Sequence, residues 1–529
     1  MESSIKTSYQ QEITKNILNV RLINAFDNPQ NLVVATARTC YSKSPVLPED
    51  NDEQNKPIWS KISKSIIKAG HHTTLQHTQF QFLIEGISRN LIWHFLHAHP
   101  YYNSEQVSQR YRSVDSSQIY LPHFLKTIHT KMYMEIIRNQ HESYRRLCAS
   151  LLPPIEKNFF SIFPARVRNR DLWLPQIKKK SGEMARYVLP LATTAHLYHT
   201  ISGLTLHRYY RLSASGVLSK EQELLIEKMV DEVRKLDPDF TSHLPQPMDI
   251  EDTPEYKISR EFTEGRILSI SHEFIREFDE SLKNNLSVVI STTSDAESLL
   301  RDGAMTCFGV TKENLDNDKS ILMIMSPKIN NWLSDTYNMT SLSPISQIMS
   351  LIHFVFKKKM SLAADAQNQR HRTTPSVKTY LFNAHSDNPD VYVPKIISSH
   401  PESLDIYMSA HTETYKGITT MLDDGASKEN ISYLIPNAKY VRMIESGTLS
   451  AYHHKWKIRS CLNAQEEIRR ISIEEISAIK KQYPIMGKYL GPPCLLRYMS
   501  REFPYCPEGK RFCGVPAWKM DINELSNIP

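Results

Sequence analysis

The chain has 529 residues, more than one ordinary hydrophobic core holds, and its length suggests two to four domains. Hydrophobic residues make up 40%, and no apolar run approaches the ~18 residues of a membrane span, so the sequence predicts no membrane segment. The polar amino terminus lacks the apolar core of a secretory signal, seven scattered cysteines do not resemble a disulfide framework, and a net charge of +7 favours anionic partners, so we expect a cytoplasmic protein with free thiols.

Hydrophobic periodicity predicts the regular elements in chain order. Residues Ser60–Ala69 have apolar side chains at helical spacing, and Gly70 follows as a predicted C-terminal cap. Residues Phe80–Glu85 form a short, partly alternating apolar run that predicts a strand. Two long stretches, His123–Leu152 and Ser219–Lys235, are predicted helices, so the fold class is α+β with helix predominant.

A proline-rich segment divides the chain. Between about Lys235 and Tyr256, four prolines and several acids interrupt the periodic pattern and discourage helix, which predicts a linker. We therefore expect one domain over residues 1–250, the first half, and another over residues 251–529, the second half. Lysine triplets at 178–180 and 357–359 are interpreted as solvated helix ends.

The two halves contain the same landmarks in the same order, which indicates a tandem duplication. The landmarks are Thr-Cys-aromatic (ending at Ser42 and Gly309), an Arg/His-rich segment (Arg89–Tyr111 and Gln367–Tyr380), a Leu/Ile-Pro signal (RYVLP from Arg186 and SYLIP from Ser432), and a His/Tyr/Arg stretch (GLTLHRYYRL and GTLSAYHHKWKIR).

The segment that follows Ala69 in the first half, GHHTTLQHTQFQFLIE, begins a block that ends in SQRYR. This block resembles the signature of flavin-dependent thymidylate synthases. The family pattern is Gly-His-x-Ser/Thr-x-x-Glu-His, then a strand, Arg-His-Arg and Ser-x-Arg-Tyr. Ala98 and Pro100 stand where the family has the two arginines of its triplet. The residues that match are Gly70, His71, Thr73, His77, His99, Ser108, Arg110 and Tyr111.

The second half resembles the family in other places. Its segment QNQRHR matches Gln-x-x-Arg-His-Arg, whereas Ser376 and Lys378 correspond only loosely to the nucleotide-binding continuation. EMARYVLP in the first half matches Glu-x-Ala-Arg-x-Val-Leu-Pro, and RSCLNAQEEI in the second half matches Arg-x4-Ala-Gln-x-Glu-Ile. The residues that these matches contribute are Arg186, Gln367, Arg370, His371, Arg372 and Arg459.

The resemblance implies two tandem domains of the family fold, each helix-rich with a central, mainly antiparallel sheet. It also implies methylation of dUMP to dTMP with FAD as cofactor and with NADPH and methylenetetrahydrofolate as co-substrates. Arg459 would stabilise negative charge on the pyrimidine as the catalytic residue. The implied cofactor ligands are His71, Thr73, His77, His99, Arg370, His371 and Arg372. The implied nucleotide ligands are Ser108, Arg110, Tyr111, Arg186, Gln367 and Arg459.

The family is homotetrameric, so the resemblance implies a homodimer of this chain that forms a pseudo-tetramer. We also expect sites that combine residues of both halves, because each half has lost different motif residues. The alternative is a catalytically degenerate paralogue that binds a nucleotide or flavin in a regulatory or different nucleotide-modifying role. The chain contains no recognisable nucleic-acid-binding module, so we expect neither nucleic acid nor a membrane as partner.

Two groups of residues also have the composition of a metal site. His94 and His97 have i, i+3 spacing on a predicted helix, but no nearby acid or thiol completes a ligand set. Cysteines 461, 494, 506 and 513 are either zinc ligands or reduced structural thiols, and their spacing does not follow the usual Cys-x-x-Cys pairs. We predict no metal at either place.

Overall fold

The computed structural model describes residues 18–51, 54–112, 114–216, 218–263 and 267–528. Helices predominate in this part of the chain, and two separate four-stranded antiparallel sheets are present, so the predicted helix-rich α+β class is confirmed. Within the same ranges, no helix has the length and the apolar character that crossing a bilayer requires.

The chain forms two compact units. The first unit contains Met1–Glu142, Leu189–Ile267 and Lys416–Ile435, and the second contains Ser143–Val188, Leu268–Tyr415 and Pro436–Pro529. Each unit therefore takes one segment from beyond the proline-rich junction. The division into contiguous domains at residue 250 stays a prediction about the duplicated sequence.

Each unit is built around one sheet with the same strand order, β1-β2-β4-β3 in the first and β5-β6-β8-β7 in the second. The strands are β1 Asn19–Ala25, β2 Gln79–Ser88, β3 Asn103–Gln106, β4 Thr194–Ser202, β5 Ser287–Thr292, β6 His353–Ser361, β7 Ser376–Lys378 and β8 Tyr440–Thr448.

The helices of seven or more residues pack around these sheets. They are α1 Pro29–Thr39, α2 Lys56–Ala69, α3 Thr127–Ser150, α4 Leu152–Ile162, α5 Arg170–Ala185, α6 Gly203–Arg211, α7 Ser219–Leu236, α8 Pro254–Thr263, α9 Ile267–Ser281, α10 Ala296–Phe308, α11 Asn317–Met325, α12 Leu362–Asn368, α13 Pro401–Asp423, α14 Leu449–Arg459, α15 Glu466–Gln482 and α16 Pro493–Met499.

Most elements predicted from periodicity are present. Helix α2 ends at Gly70, whose φ of 77° is the left-handed conformation that glycine adopts without strain. The strand predicted at Phe80–Glu85 is the middle of β2, and the two predicted long helices are represented by α3 and α7. The segment predicted as a linker is partly helical, because a short helix covers Pro238–Thr241 and α8 begins within it.

The lysine triplet at 357–359 corrects one interpretation. It lies within β6 instead of at a solvated helix end, whereas the triplet at 178–180 is on helix α5. Successive strand side chains point to opposite faces, and in β6 this alternation buries Lys358 completely.

The two sheets begin their helices in the same way. Strands β4 and β8 end at Ser202 and Thr448, whose side chains accept hydrogen bonds from backbone amides in the first turns of α6 and α14. Ser361 at the end of β6 caps α12 in the same manner. These caps fix where each helix starts, and so they fix which side chains reach the carboxyl ends of the strands.

Candidate functional site

The Arg-His-Arg triplet of the second half follows helix α12 directly. The backbone amide of His371 donates to the carbonyl oxygen of Asn368 at 2.9 Å, which turns the chain at the end of the helix. The turn buries His371 and leaves the side chains of Arg370 and Arg372 exposed on either side. Two guanidiniums therefore flank a buried imidazole at the surface of the second unit.

Arg459, the last residue of α14, contacts this turn. Its Nε donates to Nε2 of His371 at 2.8 Å, and its Nη2 donates to the carbonyl oxygen of Gln367 at 2.8 Å. Burial, with Arg459 and Lys455 nearby, holds the pKa of His371 well below its usual range, so the ring is neutral. The neutral ring accepts at Nε2, and together with Gln367 it fixes the plane of the guanidinium.

Arg186 reaches the same region of the second unit from the end of helix α5. It is buried, with 6% of its surface exposed, and its Nη2 donates to Oε1 of Gln465 at 3.1 Å. The side-chain amide of Gln367 donates to the same oxygen of Gln465. A first-half arginine and a second-half glutamine thus share one acceptor.

A buried carboxyl group completes this network. Gln465 donates to the hydroxyl of Tyr187, which in turn donates to Glu467 at 2.9 Å. Glu467 also accepts from the backbone amide of Ser361 at 2.6 Å and from its hydroxyl at 2.5 Å. Burial raises the pKa of Glu467 to about 7, although the hydrogen bonds from Ser361 and Tyr187 oppose this shift.

The first unit repeats the carboxyl group. Glu221 accepts from the amide of Ser88 at 2.8 Å, from the Ser88 hydroxyl at 2.6 Å, and from the hydroxyl of Tyr433 at 2.9 Å. Burial raises the pKa of Glu221 to about 7 as well. Tyr433 belongs to SYLIP as Tyr187 belongs to RYVLP, so the two units use corresponding tyrosines.

The raised carboxyl pKa values predict a pH dependence of stability. A carboxyl that titrates near pH 7 when folded and near 4.5 when unfolded stabilises the fold at low pH, and this contribution is lost as pH rises through 7. We expect the free energy of unfolding to fall between pH 5 and pH 8 by on the order of 3 kcal/mol for each of Glu221 and Glu467. Urea denaturation at several pH values measures the slope. The double variant Glu221→Gln with Glu467→Gln should flatten it, and an unchanged slope in that variant would contradict the assignment.

The remaining predicted ligands lie in the first unit. Ser108 accepts from the backbone amide of Arg110 at 3.2 Å, and the Arg110 guanidinium lies 5.5 Å from the ring centroid of Tyr111. His99 contacts the hydroxyl of Tyr209 at 2.8 Å. The side chains of His71, Thr73 and His77 are exposed on and beside a short 3-10 helix.

A π-helix explains the altered spacing around His99. Residues Ile92–Leu96 form this wider turn, which accommodates one additional residue within a helix. His99 consequently follows the capping Ser88 by one residue more than His371 follows Ser361. The predicted regular helix for His94 and His97 is therefore wrong, because the π-turn changes their relative orientation.

The position equivalent to Arg186 is neutral in the first unit. Ser432 occupies the corresponding place in SYLIP, and its hydroxyl accepts from the side-chain amide of Asn90 at 2.7 Å. This hydrogen bond joins two small neutral groups where the second unit has a guanidinium. The first unit thus lacks a cation at this position.

The sequence motifs did not identify Glu221, Tyr187 or Gln465 as members of the networks. Glu221 was hidden because LSKE in the first half replaces AQEE of the second. Its signal is distance along the chain, since Glu221 follows the capping Ser202 by the same number of residues as Glu467 follows Thr448.

The cysteines of the chain are free thiols. Burial raises the pKa of Cys461 to about 11 and that of Cys494 to about 12, so both are protonated at neutral pH. Across the residues that the structure describes, no group of three or more His, Cys, Asp or Glu side chains is arranged to hold a metal ion.

Comparison with known proteins gives matches on both sides of the junction. The family described as "Thymidylate synthase complementing protein" (Thy1) matches residues 21–239 and 288–485. A flavin-dependent thymidylate synthase of Clostridium tetani is 28% identical over 225 residues, which are 42% of this chain and 85% of that protein. The enzyme of the same name from Saccharolobus solfataricus is 28% identical over 26% of this chain and 54% of its own length.

Solved structures also resemble parts of the chain. The flavin-dependent thymidylate synthase ThyX of Helicobacter pylori, complexed with FAD and dUMP, aligns with a TM-score of 0.30 and 17% identity over 43% of this chain and 97% of its own. The UMP/dUMP methylase PolB of Streptomyces cacaoi, bound with 5-Br dUMP, has the same score and identity over 43% of this chain and 93% of its own.

Proposed function

The chain belongs to the thymidylate synthase complementing protein family, and we propose that it is a flavin-dependent methyltransferase that converts dUMP to dTMP. The observation that supports this most strongly is the network in the second unit. Arg186 and Gln367 share Gln465 as acceptor, and Arg459 is fixed by His371. Family motif residues from both halves are combined in one unit.

The chemistry of these residues suits an anionic nucleotide. Guanidinium groups present several donors in one plane and bind phosphate or pyrimidine oxygens through paired hydrogen bonds. The side-chain hydrogen bonds that orient Arg459 and Arg186 run to neutral acceptors, so both guanidiniums keep their full positive charge. Arg186 would bind the phosphate, and Gln367 would contact the nucleotide.

Arg459 has the geometry of an electrostatic stabiliser. Two hydrogen bonds hold its guanidinium before any substrate arrives, so little reorganisation is needed when negative charge develops on the uracil ring. The neutral ring of His371 adds no competing positive charge beside it. The proposed catalytic role of Arg459 follows from this preorganisation.

FAD is the proposed cofactor, and its phosphates and flavin carbonyls require clustered donors. Arg370 and Arg372 fit this requirement because both side chains are exposed and flank the buried His371. When bound, the flavin would supply the redox chemistry, while the protein orients the reactants. NADPH and methylenetetrahydrofolate are the proposed co-substrates. His71, Thr73, His77 and His99 stay predicted cofactor ligands, and Ser108, Arg110 and Tyr111 stay predicted nucleotide ligands.

The second candidate function is a binding or regulatory role without turnover, or action on a different pyrimidine nucleotide. The first unit favours it, because Ala98, Pro100 and Ser432 occupy the places of three family arginines. Titration of the purified full chain with FAD and with dUMP, followed by a dTMP assay, separates the candidates. Binding without turnover would favour the second candidate, and the absence of binding to either ligand would refute both. The homodimer stays a prediction that light scattering can test.

We expect the double variant Arg370→Ala with Arg372→Ala to weaken FAD binding. Each charged hydrogen bond lost should cost about 1.5 to 3 kcal/mol. The measurement is the flavin absorption spectrum during titration of the full chain. Arg276→Ala with Arg470→Ala is a matched control, since both arginines are exposed surface residues of the second unit that pair with glutamates. Equal FAD affinity in the two double variants would remove Arg370 and Arg372 from the proposed cofactor site.

A further inference from the structure

A buried cluster of four charged side chains lies in the second unit, behind the turn that carries His371. Lys358 contacts Glu445 at 2.9 Å and Glu475 at 2.5 Å, and Lys455 also contacts Glu445. The side chains of Lys358, Glu445 and Glu475 are 0% exposed, and that of Lys455 is 1% exposed. Burial of this much charge is costly unless each group is paired, as these are.

The two carboxylate oxygens of Glu445 contact different helices. Oε1 accepts from Lys358, from Lys455 on α14, and from the Tyr452 hydroxyl at 3.3 Å. Oε2 accepts from the side-chain amide of Asn368, the last residue of α12, at 2.7 Å. One carboxylate therefore joins the end of α12 to α14.

Both connections lead to the proposed site. The carbonyl oxygen of Asn368 accepts from the amide of His371 at 2.9 Å, so the residue held by Glu445 also begins the His371 turn. Lys455 precedes Arg459 by about one turn on the same helix, and residues at this spacing share a helix face. Glu445 thus acts on both partners of the His371–Arg459 hydrogen bond.

The first unit has a neutral version of this arrangement. In β2 and β4 Phe82 pairs with His199, and in β6 and β8 Phe356 pairs with Glu445, so His199 occupies the place of Glu445. Tyr209 follows its capping residue by the same distance as Lys455 and contacts His199 at 3.0 Å and His99 at 2.8 Å. The unit without the arginine triplet therefore has uncharged groups here, and the unit with the triplet has the ion cluster.

We propose that Glu445 is a positioning residue of the second unit, which acts through Asn368 and Lys455 to hold His371 and Arg459 in the orientation that binds the nucleotide. This inference rests on the proposed function for its ligand. It assigns to Glu445 a role that Glu475, equally buried and equally charged, does not share. Glu475 contacts Lys358, the Ser287 hydroxyl and the indole nitrogen of Trp456, none of which leads to His371.

The test compares three variants of the full chain: Glu445→Gln, Asn368→Ala, and Glu475→Gln as the matched control. We expect Glu445→Gln and Asn368→Ala each to weaken dUMP binding at least tenfold. The combination of the two should weaken it no further, because both break the same connection. Glu475→Gln should lower the melting temperature to a similar extent as Glu445→Gln but change dUMP affinity less than twofold.

Hydrogen exchange of residues 368–376 provides a readout that needs no ligand. Glu445→Gln and Asn368→Ala should accelerate exchange in this peptide, and Glu475→Gln should not. Equal acceleration in Glu445→Gln and Glu475→Gln, or equal losses of affinity, would overturn the inference and leave the cluster a purely stabilising feature. If the unaltered chain binds no dUMP, the proposed function fails, while the exchange experiment still decides whether Glu445 positions the turn.

Discussion

Replacement of Arg459 by alanine is expected to lower turnover of dUMP by about 10² to 10³, the loss typical of removing one preorganised donor to developing negative charge. The guanidinium of Arg459 is held by His371 and by the carbonyl of Gln367, so alanine removes both the charge and the hydrogen bonds that orient it. Steady-state production of dTMP by the full chain measures this effect.

Arg459→Lys provides a sharper comparison. Lysine keeps the positive charge, but its single nitrogen cannot reproduce the planar fork that contacts His371 and Gln367 together. We therefore expect lysine to recover less than a tenth of the lost activity. Arg470→Ala, which removes an exposed arginine paired with Glu474, serves as the control. Wild-type turnover in Arg459→Ala would show that this arginine has no catalytic role.

Replacement of Lys358 by methionine is expected to have the largest effect on stability. The change leaves Glu475 buried without its cation and removes one of two cations from Glu445. Breaking a buried ion pair on one side typically costs about 3 to 5 kcal/mol, because an uncompensated charge remains in the interior. Urea denaturation followed by circular dichroism provides the free energy of unfolding.

A neutral version of the whole cluster tests this explanation. The fourfold variant Lys358→Ile, Glu445→His, Lys455→Tyr and Glu475→Met introduces the residues at the corresponding positions of the first unit. Exchange of a complete buried ion cluster for packed neutral groups is often neutral in stability. The fourfold variant should therefore be more stable than Lys358→Met. The opposite order would mean that shape, and not unpaired charge, dominates the loss.

Local patterns identified much of the fold. The apolar spacing of Ser60–Ala69 and the following Gly70 located α2 and its end, and the alternation around Phe80 located β2. Tyr209 and Trp456 are buried, as expected for large aromatics, and Tyr210 is partly buried. These predictions succeeded because helix and strand periodicity reports the nearest core, whichever residues supply it.

Periodicity could not predict which core a helix would join. Residues 143–188 precede the proline-rich junction and still belong to the second unit, and residues 416–435 follow it and belong to the first. Nothing in the spacing of apolar residues distinguishes two similar sheets. The resemblance between the halves, which made the duplication visible, concealed this exchange for the same reason.

Motif matching also failed where the motif had changed around a retained residue. Glu221 keeps its hydrogen bonds from Ser88 and Tyr433 although its neighbours no longer match the family pattern. Lys358 was grouped with two adjacent lysines as a solvated run, because charge in sequence does not indicate which strand face is buried. In both cases the interior of the protein determined the role of the side chain.

The exchanged segments affect how the two halves can evolve. Because Ser143–Val188 completes the second unit and Lys416–Ile435 completes the first, a gene encoding only one half would leave both sheets without part of their packing. Fission of the fused gene would therefore be penalised even if one half lost every ligand-binding residue. Such a half can drift in its chemistry while its contribution to the folding of the other remains under selection, and Ser432, beside the retained Tyr433, illustrates this separation.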